Sequence, residues 1–353
     1  MNRLELLYAK MMFRLNTEKR MSICRKLASL LRNDFTLIDA LERIEMIESK
    51  NGTKPNEPFA IVMRQWQKNL EQGMTFSEAT RGWVPPNETL LVTSGNLSNL
   101  VVALENVGRV VDGMQRIRRA MTTAVAYPLF LLGLTFGIII MVGLYLVPPL
   151  AEIATNDIVW RGSARSLIWL SDISIKYWYV FLVVAASAIT IVWGSLANWS
   201  GRVRAFFDKL PPWSIYKIQV SSGWLMSLAA MVSAGVTIPD AMRMLADSSN
   251  KYVRRILDSA LRFVANGENL GVALSHTKTD FPDSEIIGDL IIYADMNGFD
   301  ENLTRIANDY LNESVRKMER ISNILNGLGI VLVSVIIAWV VLGTFQMQDQ
   351  IIN

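Results

Sequence analysis

One short acidic stretch, Asp295-x-Asn297-Gly298-x-Asp300-Glu301, has the residue types that hold a calcium ion. Its register works against that chemistry. The fifth position of the usual calcium loop would be Phe299, and the glycine required at the sixth is Asp300. Gly298 is expected instead to end a helix in a left-handed turn. The single histidine, His276, and the single cysteine, Cys24, lie far apart in the chain, which leaves little material for a soft-metal cluster or a Cys-His nucleophile. His276 is expected at a polar surface and Cys24 inside a helical core. No Gly-x-x-x-x-Gly-Lys-Ser/Thr loop is present, so nucleotide hydrolysis through a phosphate cradle is excluded. No catalytic, cofactor-binding or metal-binding residue is therefore assigned, and no enzymatic activity is expected.

The elements that carry these residues follow from where charge is missing. Of 353 residues, 51% are hydrophobic and 19% charged, and the charges are gathered into blocks. Ala120 to Ala151 gives 32 positions without Asp, Glu, Lys or Arg, Tyr177 to Gly201 gives 25, and Ile321 to Gln348 gives 28. A helix crosses a bilayer with about 20 apolar residues at ~1.5 Å rise each, so all three runs are long enough. The formal charge of +3 is too small to suggest a nucleic-acid partner. One cysteine cannot make an internal disulfide, which fits a reducing compartment. Arg3, Glu5, Lys10 and Arg14 interrupt any apolar signal-peptide core, so the first crossing is expected to act as an internal insertion signal.

The first crossing passes through Tyr127, Pro128, Leu131 and Leu146 and is expected to stop near Pro148-Pro149. The second opens on Tyr177-Trp178-Tyr179 and closes near Trp193 and Trp199, rings that suit the headgroup level. Gly133 and Gly137 form a small-xxx-small pair that would let another helix come close. Asn323 and Asn326 fall near the boundary of the third run and are expected to face a partner helix or the headgroups. Arg116, Arg118 and Arg119 precede the first crossing, Arg202, Arg204 and Lys209 follow the second, and Arg316, Lys317 and Arg320 precede the third. The positive-inside rule then predicts residues 1–119 and 202–320 in the cytoplasm, with 148–176 and 349–353 outside. The crossings become 120–147, 177–201 and 321–348.

A fourth uncharged segment, Ile218 to Pro239, passes the length filter but is richer in serine and glycine. Internal repetition argues against its crossing. Leu27, Ala28, Thr36, Asp39 and Ala40 recur as Leu228, Ala229, Thr237, Asp240 and Ala241 at a constant offset of 201. Further on, Gly73 and Ala79 match Gly267 and Ala273, and Gly95-x-x-x-Asn99-Leu100 matches Gly298-x-x-x-Asn302-Leu303. Such ordered matches signal a duplicated unit. Its first copy carries Arg25, Lys26, Arg32 and Asp34 here and cannot enter a bilayer, so its partner is read as a buried helix of a soluble lobe. Leu27, Leu30, Leu31, Ile38, Leu41 and Ile44 keep helical spacing. Thr36 and Thr237 suit N-caps, and Pro239 a first turn. The fold class is an all-α membrane protein with two duplicated cytoplasmic helical-bundle lobes and three transmembrane helices.

This combination resembles the type II secretion F-domain family, the inner-membrane platform proteins of type II secretion systems and type IV pili. The second copy carries the better match: Ser233-Ala-Gly-Val-Thr-Ile-Pro-Asp-Ala-Met242, then Asn266-Gly-Glu-Asn-Leu270 and Phe281-Pro282. The family's Gly-Glu-x-x-Gly-x-Leu stretch survives only as Ala294-Asp295-x-x-Gly298, and in the first copy as Leu91-Val92-x-x-Gly95. These departures point to a divergent member, of the type IVb pilus branch. The resemblance runs from about residue 17 to the end.

It implies a platform in the bacterial inner membrane that couples a hexameric cytoplasmic assembly ATPase to insertion of pilin or pseudopilin subunits. Other inner-membrane assembly proteins and further copies of the chain itself are implied neighbours, and nucleic acid is not. A transporter or channel subunit is disfavoured because the crossings lack the charges that mark ion pathways. A receptor is disfavoured by the short outer segment. Residues 1–119 carry 18 basic and 13 acidic side chains, and 202–320 carry 14 and 15, so the lobes are expected to meet different partners or faces. Arg14, Lys19 and Arg20 are the expected exposed contacts of the first lobe, and Arg204 is read with Arg202 as part of a basic linker.

Overall fold

The computed structural model describes residues 3–85, 88, 100–153, 160–294, 296 and 298–352, and among them the regular structure is helical, with no strand. In the first lobe, α1 (Arg3–Leu15), α2 (Thr17–Arg32), α3 (Leu37–Glu48), α4 (Pro58–Glu71) and α5 (Phe76–Thr80) follow one another through short turns. The caps explain the boundaries. Asn16 accepts from Lys19 N, Thr36 from Asp39 N, and Thr75 forms a full capping box with Glu78. A chain of rings fills the centre. Phe13 lies 5.7 Å from Phe59 and 5.3 Å from Trp66, and Trp66 lies 5.6 Å edge-on from Phe76, the geometry aromatic quadrupoles favour.

The long helix α6 (Leu100–Met141) follows, then a π turn (Val142–Leu146), α7 (Val147–Ile153) and α8 (Gly162–Asn198). After them come α9 (Arg202–Phe207), α10 (Trp213–Ser233), α11 (Ile238–Ser248), α12 (Lys251–Ala265), α13 (Leu270–Ser275), α14 (Ser284–Tyr293) and α15 (Phe299–Ile352). The second copy repeats the first in its local chemistry. Thr237 caps α11 as Thr36 caps α3, and Pro239 sits in the first turn. Asp34 takes a left-handed φ of 61°, where the second copy places Gly235 at 90°. The segment Ile218 to Pro239 lies mostly in α10, whose Trp224, Leu225, Leu228, Ala229 and Met231 are buried.

The chain divides into two compact units: Met1–Ile117 with Ala197–Ser314, and Arg118–Leu196 with Val315–Asn353. Inside the first, α6 and α10 meet through reciprocal glycines. A Cβ on Gly113 would stand 2.5 Å from Met226 Cε, and one on Gly223 2.7 Å from Met114 Sδ. Asn106 Nδ2 donates to Ala230 O at 3.0 Å beside them. The two repeats therefore share one packed body.

Among the described residues, three helices are long and apolar enough to cross a membrane: Leu100–Glu152, Ile175–Asn198 and Phe299–Ile351. Two details depart from what the sequence led us to expect. Pro148 and Pro149 do not stop the chain but sit in the first turn of α7, where a missing N–H costs little. The π turn before them absorbs the mismatch, with Val147 N–H donating to Val142 O. Residues 162–176, read as loop, are the start of α8. Ala164 and Leu167 pack there with Val142, Val147 and Met347, and Ser171 Oγ donates to Gly143 O at 2.6 Å. Gly133 and Gly137 face open space, while the close approaches are Gly329 on Leu131 and Gly343 on Leu167. Asn326 Nδ2 points back to Ser322 Oγ of its own helix, and Asn323 is exposed.

Candidate functional site

The residues able to do chemistry are dispersed. His276 is exposed and stacks on Phe263 at 4.7 Å, with Nε2 3.4 Å from Glu268 Oε2. Gly298 has the expected left-handed φ of 76°, and Asp300 and Glu301 occupy the first turn of α15. Asp295 and Asn297 lie outside the described residues, as do Leu91, Val92, Gly95 and Asn99. Among the described residues no group of His, Cys, Asp and Glu could hold a metal ion. Cys24 is buried, and loss of hydration, reinforced by the Glu88 charge, pushes its thiol up to about 12.

Among the described residues, what the structure gathers is a buried guanidinium–carboxylate pair in each lobe. Arg20 is 2% exposed. Its Nε and Nη2 donate to the two oxygens of Glu88 at 2.7 and 2.6 Å, and Nη1 donates to Phe13 O and Arg14 O at 2.7 and 2.9 Å. A guanidinium fork on a carboxylate has this geometry. Arg20 therefore ties the α1–α2 corner to Glu88 and is not the exposed contact the sequence reading expected. Lys19 is also engaged, 2.7 Å from the buried Glu48. Of the three expected contacts only Arg14 is exposed.

In the second copy Arg204 Nε donates to Asp208 Oδ1 at 2.8 Å, and Tyr252 Oη donates to Asp208 Oδ2 at 2.9 Å. The Arg204 guanidinium also lies 4.9 Å from the Tyr252 ring centroid. Burial, with the Asp208 charge second, raises the Tyr252 hydroxyl far above its usual range. Arg204 is thus a buried anchor of α9 rather than an element of a free basic linker. Sequence reasoning missed both networks because it counted basic residues by position along the chain. The only local signal was the Arg204–Asp208 spacing of four.

Lobe one also shows a surface the sequence reading did not single out. Leu4, Leu7, Tyr8, Met11 and Leu15 are exposed along one side of α1, while Ala9 and Phe13 on the other are buried. Their spacing of three, four and seven was the available signal. Lys10 is half-buried, with Nζ 5.9 Å from the Trp83 ring centroid, and Arg14 is exposed one turn on. The surface is apolar with a basic edge.

A family model described as type II secretion system (T2SS), protein F, matches residues 23–148 and again 224–346. The two matches start 201 residues apart, the offset at which Thr36 and Thr237 correspond. The chain is 23% identical over 347 residues to the type IV pilus assembly protein PilC of Thermus thermophilus, covering 93% of this chain and 81% of that protein. It is 20% identical over 333 residues to the type IV pilus assembly protein TapC of Aeromonas hydrophila, covering 92% and 79%. A protein transport protein HofC homolog of Escherichia coli shares 21% identity over 270 residues, 74% of this chain and 66% of that protein.

Proposed function

Since this chain belongs to the type II secretion system protein F family, we propose that it is an inner-membrane platform for assembling a type IV pilus or a type II secretion pseudopilus. On this reading a hexameric cytoplasmic ATPase engages the lobes, and the crossings pass its work to pilin or pseudopilin subunits in the membrane. Other inner-membrane assembly proteins and further copies of the chain complete the machine. The platform itself catalyses no reaction. Residues 1–119 and 202–320 are its cytoplasmic lobes, 120–147, 177–201 and 321–348 its crossings, and 148–176 with 349–353 its periplasmic parts.

One observation carries the reading: the family match occurs twice, and each matched copy ends in a helix that is itself a candidate span, α6 in the first and α15 in the second. A lobe whose last helix continues towards the bilayer without a break is suited to convert a push on its surface into movement of that helix. The exposed apolar and basic side of α1 suits a protein partner, since large apolar surface left unpacked commonly marks an interaction site.

Full-length protein in nanodiscs should capture its cognate assembly ATPase, less well at high salt because exposed charges are screened over about 8 Å. The whole chain is the right bait because residues near Gly113 pack on α10. Joint Lys10→Glu and Arg14→Glu replacement should weaken capture without unfolding, since neither carries a buried ion pair. Failure of the full chain to bind at low salt would mean that force arrives through another membrane component. Orientation is checked separately by reporter fusions. Those at Asn51 and Asn250 should report cytoplasm and one at Ser163 periplasm; a periplasmic signal at Asn250 would overturn the lobe assignment.

A further inference from the structure

Beside the Arg204–Asp208 pair opens a cleft of about 440 Å³ that the platform reading does not use. Arg204, Arg255 and Lys278 line it, with hydroxyls from Ser200, Thr277 and Thr279. The one lining carboxylate, Asp208, already accepts from Arg204 and Tyr252. Arg204 is balanced by that carboxylate, which leaves Arg255 and Lys278 as the uncompensated charge. Both are exposed, and Arg255 Nη1 donates to Ser200 Oγ at 3.1 Å across the rim. The basic surface continues along α12, where Lys251 and Arg262 flank Arg255 in an adjoining groove. Arg254 in that groove is engaged by Asp247 and Asp258. Such a cleft selects a phosphate-bearing anion, because guanidinium and ammonium groups with hydroxyls supply the donors a phosphate accepts.

Chain connectivity says which phosphate is within reach. The candidate span ends at Asn198, and Ser200 is two residues on. Two extended residues reach at most about 7 Å, so Ser200 at the rim of the cleft lies within that distance of the end of the candidate span, whichever side faces the cytoplasm. The segment between span and cleft is built for that depth. Val203 is 62% exposed, Phe206 66% and Leu210 48%, and their spacing of three and four puts them on one side of α9 and its following turn. Arg204 and Asp208 are buried on the other. Trp199 packs on Phe207 at 5.3 Å and Phe207 on Trp213 at 4.9 Å, bracing the segment with rings of the kind that settle at an interface. An apolar side that enters the acyl boundary beside a cationic side is the pattern of an interfacial helix.

We propose that the Arg204–Arg255–Lys278 cleft holds the headgroup phosphate of an anionic phospholipid while Val203, Phe206 and Leu210 insert into the same leaflet. The lipid pins α9, and through the buried Arg204–Asp208–Tyr252 network it pins α12 of the second lobe. The inference needs only the second span, not the ATPase or the orientation, so either reading can fail alone.

Full-length protein would be reconstituted with phosphatidylcholine and phosphatidylglycerol together, released into mild detergent, and its retained lipids counted by native mass spectrometry. Wild type should retain phosphatidylglycerol in preference to phosphatidylcholine. Joint Arg255→Gln and Lys278→Gln replacement should reduce that preference about 25-fold, a factor of roughly five for each cation at a membrane surface. A variant with Lys50→Gln and Lys54→Gln, equal in net charge but far away in sequence, should retain it. Elution position and helical content confirm folding, and Arg255→Gln alone gives a milder second reading. An unchanged preference in the double variant would overturn the proposal. So would loss of the bound lipid to millimolar inorganic phosphate or glycerol phosphate, which would assign the cleft to a soluble anion.

Discussion

Glu88→Ala should destabilise the first lobe by about 3–5 kcal/mol, the usual cost of stripping one partner from a buried ion pair. The lost attraction is the smaller part of that cost. Arg20, 2% exposed in the intact lobe, would stay charged without Glu88, and two of its donors would lose their acceptor. Replacing both partners, Arg20→Met with Glu88→Leu, should restore most of the loss, because apolar pairs of similar volume are often neutral or better. A surface role for Arg20 would give the opposite pattern, with each single change small and the two additive.

Cys24 supplies the readout, since it is the only cysteine in the chain and lies close enough for Glu88 and Arg20 to act on its thiol. Its folded pKa is raised above the unfolded value, so its burial contributes stability that is present below the ordinary thiol range. That contribution is lost as pH rises towards about 12. At mildly alkaline pH the native thiolate is therefore much scarcer than that of an open chain. Labelling by a thiol reagent should be slow in wild type, fast in Glu88→Ala, and slow again in the double replacement. Equal slow labelling in all three would show that the pair does not hold the lobe shut.

The second large effect is cellular. Deleting the gene should abolish surface filaments or secreted substrate while pilin-like subunits still accumulate and mature in the membrane, because a platform acts after its subunits are made. Complementation by wild type should restore assembly. The Lys10→Glu, Arg14→Glu protein should be present in the membrane yet complement poorly. Normal filaments in the deletion strain would sink the platform proposal. Lost filaments together with lost pilin would point instead to a role in subunit stability.

The sequence by itself determined the features that depend on near neighbours along the chain. Charge-free runs marked the three candidate spans because burial in lipid penalises any charged side chain whatever surrounds it. Thr36 and Thr237 were legible as caps because the donor each satisfies lies three residues on. The repeat argued for reading α10 apart from the candidate spans, since Arg25, Lys26 and Arg32 occupy the corresponding helix of the first copy. Tertiary structure decided what depends on partners distant in sequence. Arg20 and Lys19 are adjacent and equally basic, yet one is sealed on Glu88, 68 residues away, and the other is partly exposed. Gly133 and Gly329 are both span glycines, but only Gly329 meets another helix, on Leu131. Residues 162–176 became helix because Ala164 and Leu167 found Val142, Val147 and Met347 to pack on. Val203 and Phe206 remained outward because Arg204 turned in to reach Asp208 and Tyr252. The common reason is range. Hydration and capping act over a few residues, whereas an ion pair or a close-packed glycine is defined only when two remote segments are brought within a few ångströms.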